Sequence, residues 1–399
     1  MGADIDEIKT YHQNEYGIAP SVAVFVPGVY TLLGLFSDYC KGHCIMGTGE
    51  QSLLLSVSPR DDQLVRLYNA TLNDRKRFSL GNIKYRKEDR WGNFIKGVVA
   101  ELVEDGVVFP GLNVTICGDL LYCDNSTISG ALALATVMAL NEYSCLGLDH
   151  ASMIRIAYLA NNTFNGEGCR IADLLTMLNG KEGQLMLFDL QHVSFSHFSY
   201  PFQNKDAPLG IIVESRISPH AMREEVARRR LATKTAFELL RRQYPYGPLR
   251  DFPENELKER TVPLDEDSRH ICSYVLSESR WASEGFLQLA QKDAVLYGKT
   301  MSRMQAGLRD LMEITCPEVD WLTKRASEVS GCLGAGLIFN GLSGTIMVLL
   351  DESALPSYLD RLEEYEHIFG FRPRWTIFRP QGCAKVLPMT SDADSTDKR

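Results

Sequence analysis

Three runs in the first half of the chain, SVAVFVPG (21–28), SLLLSVSP (52–59) and GLNVTICGD (111–119), are apolar almost throughout, rich in branched residues, and closed by turn formers. Short apolar runs bounded in this way predict buried strands. GALALATVMALNEY (130–143) and HASMIRIAYLANNTF (150–164) instead space their apolar positions at the helical period. Strand alternating with helix predicts an α/β layer. GQLMLFDLQ (183–191) and HVSFSHFSYPF (192–202) predict further strands, and the turn chemistry of QNKDAPLG (203–210) marks a handover between domains. Beyond it the pattern is mainly helical, in AMREEVARRRLATKTAFELLRR, DSRHICSYVLSESRWASEGFLQLAQ, YGKTMSRMQAGLRDLM and PEVDWLTKRASEVS. A glycine-rich stretch, GCLGAGLIFNGLSGTIMVLL (331–350), then leads to a helix and a strand ending near Leu387. The expected architecture is α+β: an N-terminal α/β domain with a mixed sheet over 15–200, a C-terminal α+β domain over 206–390, and a mobile polar tail over 391–399.

Composition narrows the class. With 45% hydrophobic and 23% charged residues over 399 positions, the chain has the makings of a sizeable core and not of a disordered segment. A net charge of -9 excludes a general nucleic-acid binder. In the one basic run (222–242), Val226, Leu231, Ala232, Phe237, Leu239 and Leu240 fall at helical spacing, so its charges are expected to coat the wet side of a helix; an anionic partner is the alternative. The ten cysteines form no framework, and MGADIDEIKT lacks the layout of a signal peptide, so reduced thiols and a cytoplasmic location are expected. No apolar run approaches the roughly 18 to 20 residues that cross a bilayer, and Asp6 spoils a myristoylation pattern at Gly2, so no membrane partner is expected. Cys40, His43 and Cys44 crowd together in CKGHC, but a closed zinc site needs a second ligand pair, and Cys117 and Cys123 are distant; loop thiols are the expectation.

Glycine-punctuated segments at 26–42, 118–135 and 331–346 carry the candidate chemistry. In the middle one, GDLLYCDNSTISGALALAT, a strand ends near Asp119, a small polar loop follows, and a helix begins around Thr127 to Ser129. The unpaired N–H groups of such a helix start can receive a phosphate, although serine and threonine there serve equally as plain N-caps.

Together these segments resemble the galactokinase branch of the GHMP kinase superfamily over nearly the whole chain. PGVYTLLGLFSDYCKG follows the family pattern PGRVNLIGEHTDYNGG at Pro27, Gly28, Leu32, Gly34, Asp38, Tyr39 and Gly42. WGNFIKGVV resembles its W.NY.KGV helix, and GLNVTICGDLLYCDNSTISGALALA its strand and GLSSSAA phosphate loop. GCRIADLLTMLNGKEGQLMLFDL is similar to its CGIMDQ segment, CPEVD (316–320) to its CPELD segment, and GAGLIFNGLSGT to its third glycine motif.

The resemblance implies a two-domain GHMP-kinase-like fold with an active-site cleft between the domains, and transfer of the γ-phosphoryl group of ATP to the C1 hydroxyl of galactose with Mg²⁺. It implies that Asp173 is the base, that Asp38 hydrogen-bonds sugar hydroxyls, that Asn125, Ser126, Thr127 and Ser129 form the phosphate loop, and that Ser129 and Asn161 are the metal ligands. The departures are as informative. Val29 stands where the family has its arginine, Leu35 and Phe36 replace a sugar-contacting glutamate and histidine, and Asn161 replaces the metal-binding glutamate. Val226 replaces a tyrosine, Asn125 a loop glycine, and Arg170 the glycine of the CG pair. Each key loss is worth ~3 kcal/mol, about a hundredfold in rate, so efficient galactokinase chemistry is not expected. Leu35 and Phe36 are expected to turn a wet sugar pocket greasy. Three readings follow: an eroded kinase that binds a nucleotide or small ligand, a kinase for a different sugar or small alcohol in which Arg170 replaces the missing charge, and an interaction module that keeps only the architecture. ATP and Mg²⁺ are the cofactors the family implies, and a sugar or nucleotide is the expected partner; no protein partner is specified.

Overall fold

The computed structural model describes residues 5–389 apart from 123–125, 167, 206, 218–219, 254–255, 257–258, 260–263 and 339–343. In chain order the helices are α1 (Ile5–Tyr16), α2 (Gly92–Glu104), α3 (Ser126–Tyr143), α4 (His150–Leu159), α5 (Ile171–Asn179), α6 (His220–Gln243), α7 (Glu266–Ala290), α8 (Ala294–Asp310), α9 (Pro317–Ser327) and α10 (Leu355–Phe369). The strands are β1 (Val22–Leu33), β2 (His43–Arg60), β3 (Leu64–Asn69), β4 (Asp74–Ser79), β5 (Gly111–Cys117), β6 (Gln184–Asp189), β7 (Ser194–Ser199), β8 (Leu209–Glu214), β9 (Cys332–Leu337), β10 (Thr345–Leu350), β11 (Arg374–Ile377) and β12 (Lys385–Leu387). They fall into two compact units: Met1–Val29 with Thr48–Gly180 and Gln381–Arg399, and Tyr30–Gly47 with Lys181–Pro380. Both boundaries near the N-terminus lie inside a strand, β1 or β2.

In the first unit the strands lie in the order β12-β1-β2-β5-β3-β4, with β3 parallel to β5 and β1–β12, β2–β5 and β3–β4 antiparallel. Helix α3 packs against α2, α4 and α5. It is apolar nearly all round, and Ala131 to Ala135, Val137 and Ala139 are fully buried, as a central helix requires. On β5 lies α1, which buries only Ile8 and His12. The His12 ring bridges two serines of β2, with Nδ1 at 2.9 Å from Ser56 Oγ and Nε2 at 2.8 Å from Ser58 Oγ.

Burial holds His12 down to about 4. Because the folded value is below the unfolded one, the unfolded chain binds more protons between pH 4 and 6.5. His12 therefore contributes its full stability above pH 6.5 and loses it as pH falls through about 4, a change of about 3 kcal/mol. The measurement is urea unfolding across that range. His12→Asn should remove this contribution, so that stability falls more with rising pH than in the wild type, and an unchanged slope in the variant would refute the assignment.

The second unit pairs the start of β2 with the antiparallel hairpin β6–β7, and holds a separate antiparallel sheet in the order β11-β8-β10-β9. Helix α8 sits directly on β9. A Cβ on Gly298 would meet Leu333 O at 2.2 Å and one on Gly334 would meet Gly298 O at 2.1 Å, so these glycines permit backbone-to-backbone contact between helix and sheet. The described part of the third glycine segment is thus explained by packing; 339–343 lie outside the described residues.

The basic helix α6 departs from its expected pattern at two positions. Leu231 faces solvent, whereas Arg229 is buried and bridges Asp267, at 2.5 Å, and Glu313. The guanidinium is tolerated inside because acidic groups of α7 and of the turn after α8 meet it, so this charge does not coat the wet side.

Candidate functional site

In the first unit, the segment leading into α5 gathers several of the expected residues. Arg170 is the extended N-cap residue of α5 and Asp173 lies in its first turn. Arg170 Nη2 donates to Asp173 Oδ1 at 2.6 Å and Nε to Oδ2 at 3.2 Å, so both carboxylate oxygens are engaged by one guanidinium. Asp173 is 0% exposed and the Arg170 side chain 14%. Their spacing of three residues at a helix start sets the fork: the cap residue reaches forward to the acid in the first turn.

Cys169 ties this turn to the other candidates. A Cβ on Gly130, next to Ser129 in the first turns of α3, would lie 3.1 Å from Cys169 Sγ. Cys169 O accepts from Asn162 Nδ2 at 3.1 Å. Burial pushes the Cys169 thiol up, and the neighbouring Asp173 charge adds to this, so it stays protonated. Asn162 and Asn161 belong to a π-helical turn, Ala160–Phe164, that continues α4. Such wide turns are frequent at functional sites. Asn161 is fully buried; its Nδ2 donates to Ala157 O at 2.8 Å, and its Oδ1 has no hydrogen-bond partner among the described residues. Thr127 and Ser129 are buried near the start of α3. Asn125 lies outside the described residues, and the side chain of Ser126 is likewise not described. Among the described residues of this cluster, Asn161 Oδ1 and the Ser129 hydroxyl are neutral oxygens, and the Asp173 carboxylate is engaged by Arg170.

Asp38 belongs to the second unit, where it sits exposed in the short 3-10 helix Ser37–Cys40. The loop that presents it differs from its sequence expectation. β1 continues through Pro27 and Gly28 to Leu33, and the chain turns only at Gly34. Gly34 has φ +87°, and a Cβ there would lie 2.5 Å from His43 O. Leu35 and Phe36 are buried members of the second unit's core, where pocket-lining side chains were expected. Their backbone explains the arrangement: Leu35 N donates to Glu278 Oε1 at 2.9 Å and Phe36 N to Oε2 at 2.7 Å. Tyr274 Oη also donates to Glu278 Oε1, at 2.9 Å. Glu278 is fully buried in α7, and burial pushes its carboxyl up to about 7. Burial also pushes the Cys40 thiol up to about 12, and Cys40 Sγ donates to Ser37 O at 3.3 Å. Val226 is buried against Ile217 and is packed by Cys316 and Phe371.

A protein of Treponema pallidum (strain Nichols) assigned as a galactokinase is 30% identical to this chain over 375 residues, which is 92% of this chain and 93% of that protein. The chain belongs to the galactokinase family. Lactococcus lactis galactokinase, in its complex with galactose, matches the fold with a TM-score of 0.83 at 18% identity, covering 96% of this chain and 100% of that one. Methanococcus jannaschii mevalonate kinase matches with a TM-score of 0.62 at 14% identity, over 90% and 98% of the two chains. This galactokinase-family protein thus has the α+β fold of the GHMP kinases. No protein-family model matches it. Among its described helices none is long and apolar enough to cross a membrane.

Sequence reasoning missed Glu278, which holds the first glycine loop of this galactokinase-family protein. The signal was present: Glu278 falls on the same stripe of α7 as the buried Ile271, Tyr274, Val275, Ala282 and Gly285. A lone acid on an apolar stripe calls for a buried donor, and here the donors are backbone N–H groups.

Proposed function

We propose that this chain binds a nucleotide at the galactokinase-type site of its first unit and transfers phosphate to galactose poorly. Asp173 carries the reading. A general base must reach the proton it takes, and Asp173 is fully buried with its carboxylate turned onto Arg170 through two hydrogen bonds. Support comes from Asn161, which brings an amide where the resemblance implies a metal-binding carboxylate, and from Val29, buried in strand β1 where it implies an arginine. ATP is the nucleotide the family implies, and galactose the acceptor that the Lactococcus lactis relative is seen to hold.

The Arg170–Asp173 fork also favours a second reading, in which the chain phosphorylates a different small alcohol. A guanidinium beside the acid is the charge that phosphoryl transfer needs, delivered from the helix start instead of from β1. A coupled ADP-release assay decides between the two. With galactose, turnover is expected at least about a hundredfold below that of a galactokinase assayed alongside. Brisk galactose turnover would overturn the first reading. Turnover with another sugar or alcohol, abolished in Asp173→Asn, would establish the second. If ATP fails to raise the melting temperature, nucleotide binding itself is refuted and an interaction module remains.

A further inference from the structure

We propose that the β3–β4 side of the first unit is a docking surface for an acidic segment of a partner protein. In strand register Arg66 of β3 stands directly opposite Arg77 of β4, and both are exposed. Like charges facing each other across a ladder repel, so the pair costs the fold stability. The neighbouring acids do not relieve it. Asp62 engages Arg60 with both carboxylate oxygens, Asp74 takes Lys76 at 3.3 Å and Trp91 Nε1 at 2.9 Å, and Glu15 accepts from Arg75 at 2.7 and 2.8 Å. Every residue of 60–96 is described, and neither Arg66 nor Arg77 forms an ion pair among the described residues. Edge protection explains only part of this charge. Strand β4 pairs with β3 alone, and charged side chains on such an edge ward off other strands. Arg66, however, sits on β3 between β5 and β4, where no edge needs guarding.

The basic surface continues beyond the sheet. After β4 the chain turns at the bridge between Ser79 and Asn82 and comes back to the start of the same strand, where Trp91 meets Asp74. This return presents Lys84, Arg86, Lys87 and Arg90, all exposed and without ion pairs among the described residues. Asp62, Asp74 and Asp89 each have their own cation, in Arg60, Lys76 and Lys96, which leaves Glu88 as the acid of 62–90 without one. A positive surface in a chain of net charge -9 means that the rest of the chain is more acidic still. That asymmetry selects the partner. A nucleic-acid strand would carry its phosphates on into repulsion, whereas a short acidic stretch ends within the basic surface. Strand β4 spans roughly 20 Å, the reach of about six extended residues. Arginine forks fit carboxylates with two bonds each, and Arg75, with Cζ 4.5 Å from the Tyr68 ring centroid and its guanidinium held by Glu15, gives the open pair a fixed neighbour.

The test is fluorescence anisotropy of the full chain with a fluorescein-labelled octaglutamate peptide at low salt. Arg66→Gln combined with Arg77→Gln is expected to weaken binding at least about tenfold. Arg228→Gln combined with Arg309→Gln removes as much charge from exposed positions elsewhere and should change it by less than about twofold. Equal weakening by the two double variants would reduce the effect to net charge and overturn the proposal. Failure of octaglutamate to bind the wild type would overturn it too, as would tighter binding of a strand of eight thymidines, which would make the surface one for nucleic acid. Because the first double variant also ends the repulsion between Arg66 and Arg77, it should melt no lower than the wild type. A lower melting temperature would show that the two arginines serve the fold and not a partner.

Discussion

Glu278→Ala is expected to lower the stability of the second unit by about 4 kcal/mol. The substitution strips the partner from two buried N–H groups, Leu35 N and Phe36 N, and from the Tyr274 hydroxyl, at about 1 to 3 kcal/mol for each orphaned donor. It also leaves a gap in α7 beneath a turn that cannot relax easily, since Gly34 is pressed against His43 and Cys44. Urea unfolding followed by tryptophan fluorescence measures the loss; a change under about 1 kcal/mol would show that water replaces the carboxylate. The pH dependence has its own sign. Glu278 is raised to about 7, so the folded chain holds the extra proton between pH 4.5 and 7. Its contribution is complete below pH 4.5 and is lost as pH rises through about 7, opposite to that of His12. In the wild type the two slopes should largely cancel, and Glu278→Gln should reveal the rise with pH that His12 produces.

Arg170→Gly, which restores the glycine of the family pattern, is expected to cost about 4 kcal/mol because it leaves a buried carboxylate without its countercharge. The same reasoning predicts non-additivity. Adding Asp173→Asn to the glycine variant should recover much of the loss, because the group left behind is then neutral. Chemical denaturation of the single and double variants closes the cycle. Purely additive effects would mean that Arg170 and Asp173 act separately, despite the two hydrogen bonds between them.

Much of this protein was legible in its sequence, and the particular elements say why. Helix α3 declares itself through its run of apolar residues, and α9 through a proline in its first turn. The strands β1, β2 and β5 have apolar cores ended by turn formers. Strands β3 and β4 do not, because Arg66 interrupts the apolar run of LVRLYN, and DRKRFS, at the edge of the sheet, opens on four charged residues in a row. Strand β8, LGIIVE, begins within the turn-rich stretch read as a handover between domains. Helix α1 buries two side chains, and one of them is a histidine, so periodicity gives it almost no signal. At the site, residue identity revealed the departures Asn161 and Arg170. It could not reveal that Arg170 turns onto Asp173, or that Leu35 and Phe36 enter a core instead of lining a pocket, because both depend on backbone direction at a single turn.

Strand β12 closes the outer margin of the first unit by pairing Leu387, Val386 and Lys385 with Ala23, Val24 and Phe25. During synthesis β1 therefore waits for a partner far along the chain, with its unpaired side open to other chains meanwhile. Fragments that stop at Pro380 should accumulate as insoluble material even though they retain every residue of the proposed site.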